Sequence, residues 1–153
     1  MRVDIRPAIY SDIPKLSLIK LSARGESCDT DCDRFGREVR YLTEFLDDKE
    51  NVFVQLVDRV PISFCTVRNC SVKPFWGYAF IKDLYVSPDW QDKGYGKKLL
   101  MHALRTMRCK GYMNAVLVTS ADNNRAQRFY EKFGFVRNKS EIHSGYFTYT
   151  IDF

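Results

Sequence analysis

The sequence predicts a mixed α/β (α+β) fold in one domain covering residues 1–153, and three observations carry that expectation. Strand-period and helix-period apolar patterns alternate along the chain, which is the ordering of a sheet flanked by helices. The run from Gly77 to Thr119 reads as a buried strand, a glycine loop, an amphipathic helix and a second strand, a βαβ unit whose strands should be parallel with a right-handed crossover. The 153 residues, 45% apolar and 14% aromatic, suffice to cover one sheet on both faces.

Taken in order, Val3-Asp4-Ile5 alternates as a short strand. After Pro7, the Ser11-Asp12 pair announces a helix from about Ile13 to Ser22, with Pro14 accommodated in its first turn. Ala23 to Asp33 is polar and acidic and reads as a connection; Phe35, Val39, Leu42 and Leu46 then recur at helical spacing. Val52 to Val57 and Val60 to Val67 are rich in β-branched and aromatic residues and are parted only by Asp58-Arg59, the pattern of an antiparallel hairpin. Gly77 to Val86 is apolar on both faces, as a central strand should be, and Pro88 stops it.

From Gly96 to Lys110, Leu99, Leu100, Ala103, Leu104 and Met107 form one apolar helical stripe, and Gly111 supplies the stop. Ala115 to Thr119 is a short β-branched strand. Asp122 or Asn123 caps a last helix carrying Ala126, Phe129, Tyr130 and Phe133, ended by Gly134. Phe135-Val136 and Gly145 to Ile151 close a central mixed sheet of six to seven strands, flanked by about four helices.

The N-terminus has no apolar stretch long enough for a signal peptide, and no apolar run approaches the roughly 20 residues that span a bilayer, so a soluble cytoplasmic protein without membrane contact is expected. Five scattered cysteines, Cys28, Cys32, Cys65, Cys70 and Cys109, fit reduced thiols better than a disulfide framework. The spacing of Cys28 with Cys32 and of Cys65 with Cys70 is only loosely metal-like, neither pair has a neighbouring histidine, and no metal is expected.

Charge is uneven about a net +5. Ser22 to Glu50 holds nine acids against five bases, and Trp90 to Lys139 eleven bases against three acids. The basic C-terminal half suits a polyanion, either nucleic acid or a phosphorylated small molecule, and the acidic segment could draw in a cationic amine.

The chemistry concentrates at Gln91-Asp92-Lys93-Gly94-Tyr95-Gly96-Lys97, between a buried strand and a helix N-terminus. Free backbone N–H groups and the helix dipole make an anion site there, glycines let the chain curl, and Lys93, Lys97 and Lys98 add positive charge. The spacing matches neither a Walker loop nor a dinucleotide-binding Gly-x-Gly-x-x-Gly. Asp83 is an acid inside an otherwise apolar strand, so burial should favour its protonated form and let it serve as a base or as a structural hydrogen-bond partner.

Asp83-Leu84-Tyr85-Val86-Ser87-Pro88, then Gln91-x-x-Gly94-x-Gly96, then Asn123-x-x-Ala126-x-x-Phe129-Tyr130-x-x-x-Gly134-Phe135 together resemble the GNAT superfamily of N-acetyltransferases. The flanking elements extend the resemblance over nearly the whole chain. It implies acetyl-coenzyme A as cosubstrate, its pyrophosphate on the N–H groups of Asp92 to Lys97 and its pantetheine arm paired with Leu84 and Val86. It also implies two parallel strands, Gly77 to Val86 and Ala115 to Thr119, that splay apart at the cofactor.

On the same resemblance Asn123, with Ala126 beside it, meets the pantetheine, and Arg125 or Arg128 meets the outer phosphate. An amine would attack the thioester directly, without a covalent enzyme intermediate. Tyr130 matches the family tyrosine that protonates the departing sulfur, the backbone N–H near Leu84 or Tyr85 would meet the developing oxyanion, and Asp83 would take the ammonium proton directly or through water. The chain departs from some members at Lys82, where they carry a glutamate. His143 and Tyr146 are further candidates for the amine pocket.

The acceptor expected is a small cationic amine. The alternatives are a protein lysine or N-terminus, a coenzyme A-binding module without catalysis, or a nucleic-acid-binding module. The last is disfavoured because the bases gather at a phosphate loop rather than in a stripe interleaved with exposed aromatics. Self-association as a homodimer is expected from the resemblance.

Overall fold

The structure, a computed structural model, describes residues 1–26, 32–139 and 144–153. Seven strands are hydrogen-bonded in the order β1-β2-β3-β4-β5-β7-β6. The strands are β1 (Val3–Pro7), β2 (Asn51–Val57), β3 (Val60–Asn69), β4 (Ala79–Val86), β5 (Asn114–Ser120), β6 (Val136–Asn138) and β7 (Tyr146–Asp152). The helices are α1 (Ile13–Ala23), α2 (Cys32–Asp47), α3 (Tyr95–Cys109) and α4 (Asn124–Phe133), with short 3-10 turns at Tyr10–Asp12 and Pro88–Trp90. No helix of the described residues is long and apolar enough to cross a membrane.

Two compact units are distinguishable, Met1–Val67 with Asp83–Ala103, and Arg68–Lys82 with Leu104–Phe153. In the first, β2 pairs antiparallel with β1 and with β3. The β2–β3 turn is the expected two-residue one: Asp58 and Arg59 both take positive φ, 47° and 69°, which matches the twist of the flanking strands. A register shift at Gln55/Leu56 bends the pair.

Alternation along β2 divides this unit's core. Val52, Val54 and Leu56 join Phe64 against Ile13, Leu16 and Ile19 of α1 and Leu42 and Phe45 of α2. Val57 joins Ile62 and Tyr95 in a second cluster. Full burial of such a Leu or Phe contributes about 1.5–3 kcal/mol, so both helices are held by packing rather than by propensity. The start of α1 is held by charge: the buried Asp12 accepts from Arg6 Nη1 and Nη2 at 2.7 and 3.0 Å and from the Ile9 N–H at 2.8 Å. Burial opposes charge on Asp12, but these donors outweigh it and hold the carboxyl below the usual carboxylate range.

In the second unit β4 and β5 run parallel, as expected, through Ala79↔Ala115 and Phe80↔Val116. β7 pairs antiparallel with β5 along Asn114↔Asp152 to Ser120↔Tyr146 and with β6 on its other side. The last strand of the chain therefore inserts between β5 and β6, leaving the three-residue β6 at the edge. Cys70, Phe75, Phe80 and Val116 form its buried cluster.

Most boundaries fall within a residue or two of the sequence reading, and three differences bear on the loops and helix starts. β4 begins at Ala79 rather than Gly77, because Gly77 has φ +85° and donates to the Cys70 carbonyl in a turn. α2 begins at Cys32, inside the stretch read as a connection. α3 begins at Tyr95, so Gly96 lies within the helix.

Candidate active site

The glycine loop follows directly from β4. Leu84, Tyr85 and Val86 at the end of that strand are only half-buried, against the fully buried Ala79, Phe80 and Ile81 at its start. The strand expected to be covered on both faces is therefore partly open at its C-terminal end. The Trp90 N–H donates to the Ser87 carbonyl at 2.8 Å, closing the 3-10 turn. The Gln91 amide Nε2 reaches back to the Val86 carbonyl at 2.9 Å and fastens the loop to the strand.

Asp92 (φ 61°) and Gly94 (φ 86°) both take left-handed backbone conformations before α3 starts. Of the two glycines expected to curl the loop, only Gly94 does so. Gly96 is helical, and the second left-handed position falls on Asp92, a residue type that visits this region more readily than most. The turn is anchored by Tyr95, buried against Val57 and Ile62 and edge-on to Trp90 with ring centroids 5.6 Å apart.

α3 thus opens with N–H groups that have no partner four residues back within the helix. Around them, Lys93, Lys97 and Lys98 are exposed. Lys93 Nζ donates to the Asp89 carbonyl at 3.1 Å and lies 5.6 Å from the Trp90 ring centroid, and Lys98 Nζ lies 5.8 Å from that of Tyr95. Left-handed residues, a helix N-terminus and lysines are features that favour an anion.

Next to the loop's strand is a polar cluster within the same unit. Asp83, 4% exposed, accepts at Oδ2 from the Tyr41 hydroxyl at 2.8 Å and the Thr66 hydroxyl at 2.5 Å. Its Oδ1 lies 3.2 Å from Lys20 Nζ, which lies 2.8 Å from Glu38 Oε2. Burial alone would depress the Lys20 ammonium, but Asp83 and Glu38 outweigh it and raise its pKa. Burial and then Asp83 push the Tyr41 and Tyr85 phenols up, so both stay neutral donors. The wholly buried Cys65 thiol is pushed up by the same causes.

The structure therefore gathers Asp83, Leu84, Tyr85, Val86, Gln91, Asp92, Lys93, Gly94, Tyr95, Gly96 and Lys97 in one compact unit. Asn123, Ala126 and Tyr130 lie in the other, on and before α4. Asn123 is the N-cap of that helix, its side-chain oxygen accepting from the Ala126 N–H at 3.1 Å. Tyr130 is half-buried, with Phe129 and Phe135 edge-on at centroid distances of 5.1 and 5.6 Å. Tyr146 is exposed at the start of β7 and lines a cavity of about 440 Å³ with Arg137, Asn138, Lys139, Phe147 and Thr148. His143 lies outside the described residues.

Sequence reasoning missed Lys20, Glu38, Tyr41 and Thr66. A signal existed for one of them: Lys20 shares a helical face with Ile13, Leu16 and Ser17, and a lysine there requires an acid from another element.

A family model described as "Acetyltransferase (GNAT) family" matches residues 20–135. Streptothricin acetyltransferase A of Bacillus subtilis is 28% identical over 110 residues, 68% of this chain and 62% of that protein. A mycothiol acetyltransferase of Saccharopolyspora erythraea is 35% identical over 60 residues, 39% of this chain and 20% of that protein. The chain thus spans less than two thirds of the length of either curated relative. Among solved structures, the PaiA N-acetyltransferase of Thermoplasma acidophilum in complex with coenzyme A has the same fold, with TM-score 0.81 at 19% identity over 100% of both chains. An acetyltransferase of Thermus thermophilus does so with TM-score 0.80 at 18% identity over 100% of this chain and 98% of its own.

Proposed function

The chain belongs to the acetyltransferase (GNAT) family, and we propose that it transfers the acetyl group of acetyl-coenzyme A to the primary amine of a small cationic acceptor by direct attack on the thioester. The observation that carries this reading is the run from Asp92 to Lys97, where left-handed backbone at Asp92 and Gly94 leads into the N-terminus of α3 and its N–H groups. A pyrophosphate fits that chemistry, and the PaiA enzyme of the same fold is a complex with coenzyme A.

In this reading the backbone from Asp92 to Lys97 holds the pyrophosphate, with Lys93, Lys97 and Lys98 adding charge. Leu84 and Val86 pair with the pantetheine arm through groups other than the Val86 carbonyl, which Gln91 already occupies. The half-exposure of Leu84 to Val86 supports this, as does a parallel ladder covering only two residues each of β4 and β5. By resemblance to the family, Asn123 and Ala126 would contact the pantetheine arm, and Arg125 or Arg128 the outer phosphate.

The acceptor nitrogen attacks the carbonyl carbon as the carbon–sulfur bond breaks. A backbone N–H at Leu84 or Tyr85 stabilises the charge gathering on the carbonyl oxygen. Before the attack Asp83 takes the ammonium proton, directly or through water; the Tyr130 phenol gives its proton to the departing sulfur and regains one through water from the nitrogen's surplus proton. Two carboxylates, Glu38 and Asp83, against one ammonium leave their cluster net negative, which suits a cationic acceptor.

Direct attack needs no thiol carrier, and Cys65, wholly buried with its pKa raised, would be a poor one. Initial-rate kinetics test this. Varying acetyl-coenzyme A at several fixed amine concentrations is expected to give intersecting double-reciprocal lines. Parallel lines, the signature of a ping-pong route, would contradict direct attack.

A further inference from the structure

α1 carries a buried cation where its neighbours are core. Lys20 is 8% exposed, on the face of Ile13, Leu16 and Ser17, and a buried ammonium is costly unless paired. Its Nζ lies 2.8 Å from Glu38 Oε2 on α2 and 3.2 Å from Asp83 Oδ1 on β4. It also lies 4.5 Å from the ring centroid of Tyr41 on α2 and 5.8 Å from that of Tyr85 on β4. The other Asp83 oxygen takes hydroxyl protons from Tyr41 and from Thr66 on β3.

Asp83 is therefore fixed at both oxygens by groups from three different elements. Stability alone gives no reason for this arrangement, because a buried ion pair is commonly matched or bettered by apolar side chains of similar volume. What apolar residues would not supply is a carboxylate held in one rotamer.

We propose that Lys20 is a positioning residue for acetyl transfer, its ammonium fixing the orientation of the Asp83 carboxylate on β4. The proposal rests on the acetyl-transfer reading and on the role given to Asp83 there. Lys20 touches neither substrate; it acts through Asp83, with Glu38 tethering it to α2 and the Tyr41 and Tyr85 rings lining its place.

The test is steady-state kinetics of D83N, K20M, K20R and the double variant K20M/D83N, each with its thermal unfolding curve. D83N is expected to lower kcat/KM for the amine about 100-fold, at the lower end of what a general base contributes. K20M should lower it on the order of tenfold, as loss of an orienting partner does at other sites, with KM for acetyl-coenzyme A unchanged. K20R, which keeps the charge, should recover part of the loss. The double variant should be no slower than D83N alone, because Lys20 has nothing left to act through.

Wild-type activity in D83N would remove the Asp83 assignment and this proposal with it. A slow D83N beside a K20M as fast as wild type, or losses that multiply in the double variant, would overturn the Lys20 proposal alone. Should K20M fail to fold, K20R against K20R/D83N makes the same comparison: a loss in K20R that vanishes in the D83N background supports the proposal, and losses that multiply overturn it.

Discussion

Tyr130→Phe is expected to lower kcat about 100- to 10,000-fold, the range over which a positioned general acid acts, while leaving the affinity for coenzyme A unchanged. The substitution removes one hydroxyl and keeps the ring that meets Phe129 and Phe135 edge-on, so the aromatic packing of α4 should persist. What is lost is the proton for the leaving sulfur. The check is kcat measured beside calorimetric binding of coenzyme A and a melting curve. A fall in kcat with binding and melting intact assigns the loss to chemistry; equal activity would make Tyr130 a packing residue only.

Gly94→Asp should weaken coenzyme A binding by about two to three orders of magnitude, the second of the large effects. A carboxylate about 4 Å from a phosphate at an effective dielectric near 20 costs about 4 kcal/mol, which sets the upper end. Gly94 has φ +86°, and aspartate tolerates left-handed backbone less well than glycine, so some strain also enters the folded state. An added Cβ meets no atom within 4 Å, so the fold should lose only the cost of the left-handed backbone, about 1–2 kcal/mol. Calorimetry with coenzyme A, alongside thermal unfolding, reads both quantities. Unaltered binding would mean that the pyrophosphate lies elsewhere.

Much of the scaffold was legible because its signals are local. The stripe Leu99, Leu100, Ala103, Leu104 and Met107 is buried as helical periodicity requires, and Asp58-Arg59 makes the turn its length demands. The parallel β4–β5 pair followed from the strand, loop, helix and strand order.

What escaped was long-range or conformational. Nothing near Tyr41 in sequence shows that its hydroxyl will meet Asp83, 42 residues on. The insertion of β7 between β5 and β6 depends on edge pairing that no periodicity encodes. The loop's second left-handed residue fell on Asp92 rather than Gly96, since a glycine just inside a helix takes helical angles like any other residue.

The same limit applied at the candidate site. Asp83 could be read as a buried acid from the apolar residues around it on its own strand, but not as the partner of Lys20, Tyr41 and Thr66. Those three come from α1, α2 and β3, and only the folded arrangement brings them to one carboxylate.

Release of free thiol from acetyl-coenzyme A by the wild-type protein, across polyamines, amino acids, aminoglycosides, aminoalkylphosphonates and lysine peptides, tests the central claim most directly. Thiol release is expected to depend on a small cationic amine, with the acetylated amine recovered in equal amount. Thiol release that no amine increases, from a protein that still binds coenzyme A, would contradict it.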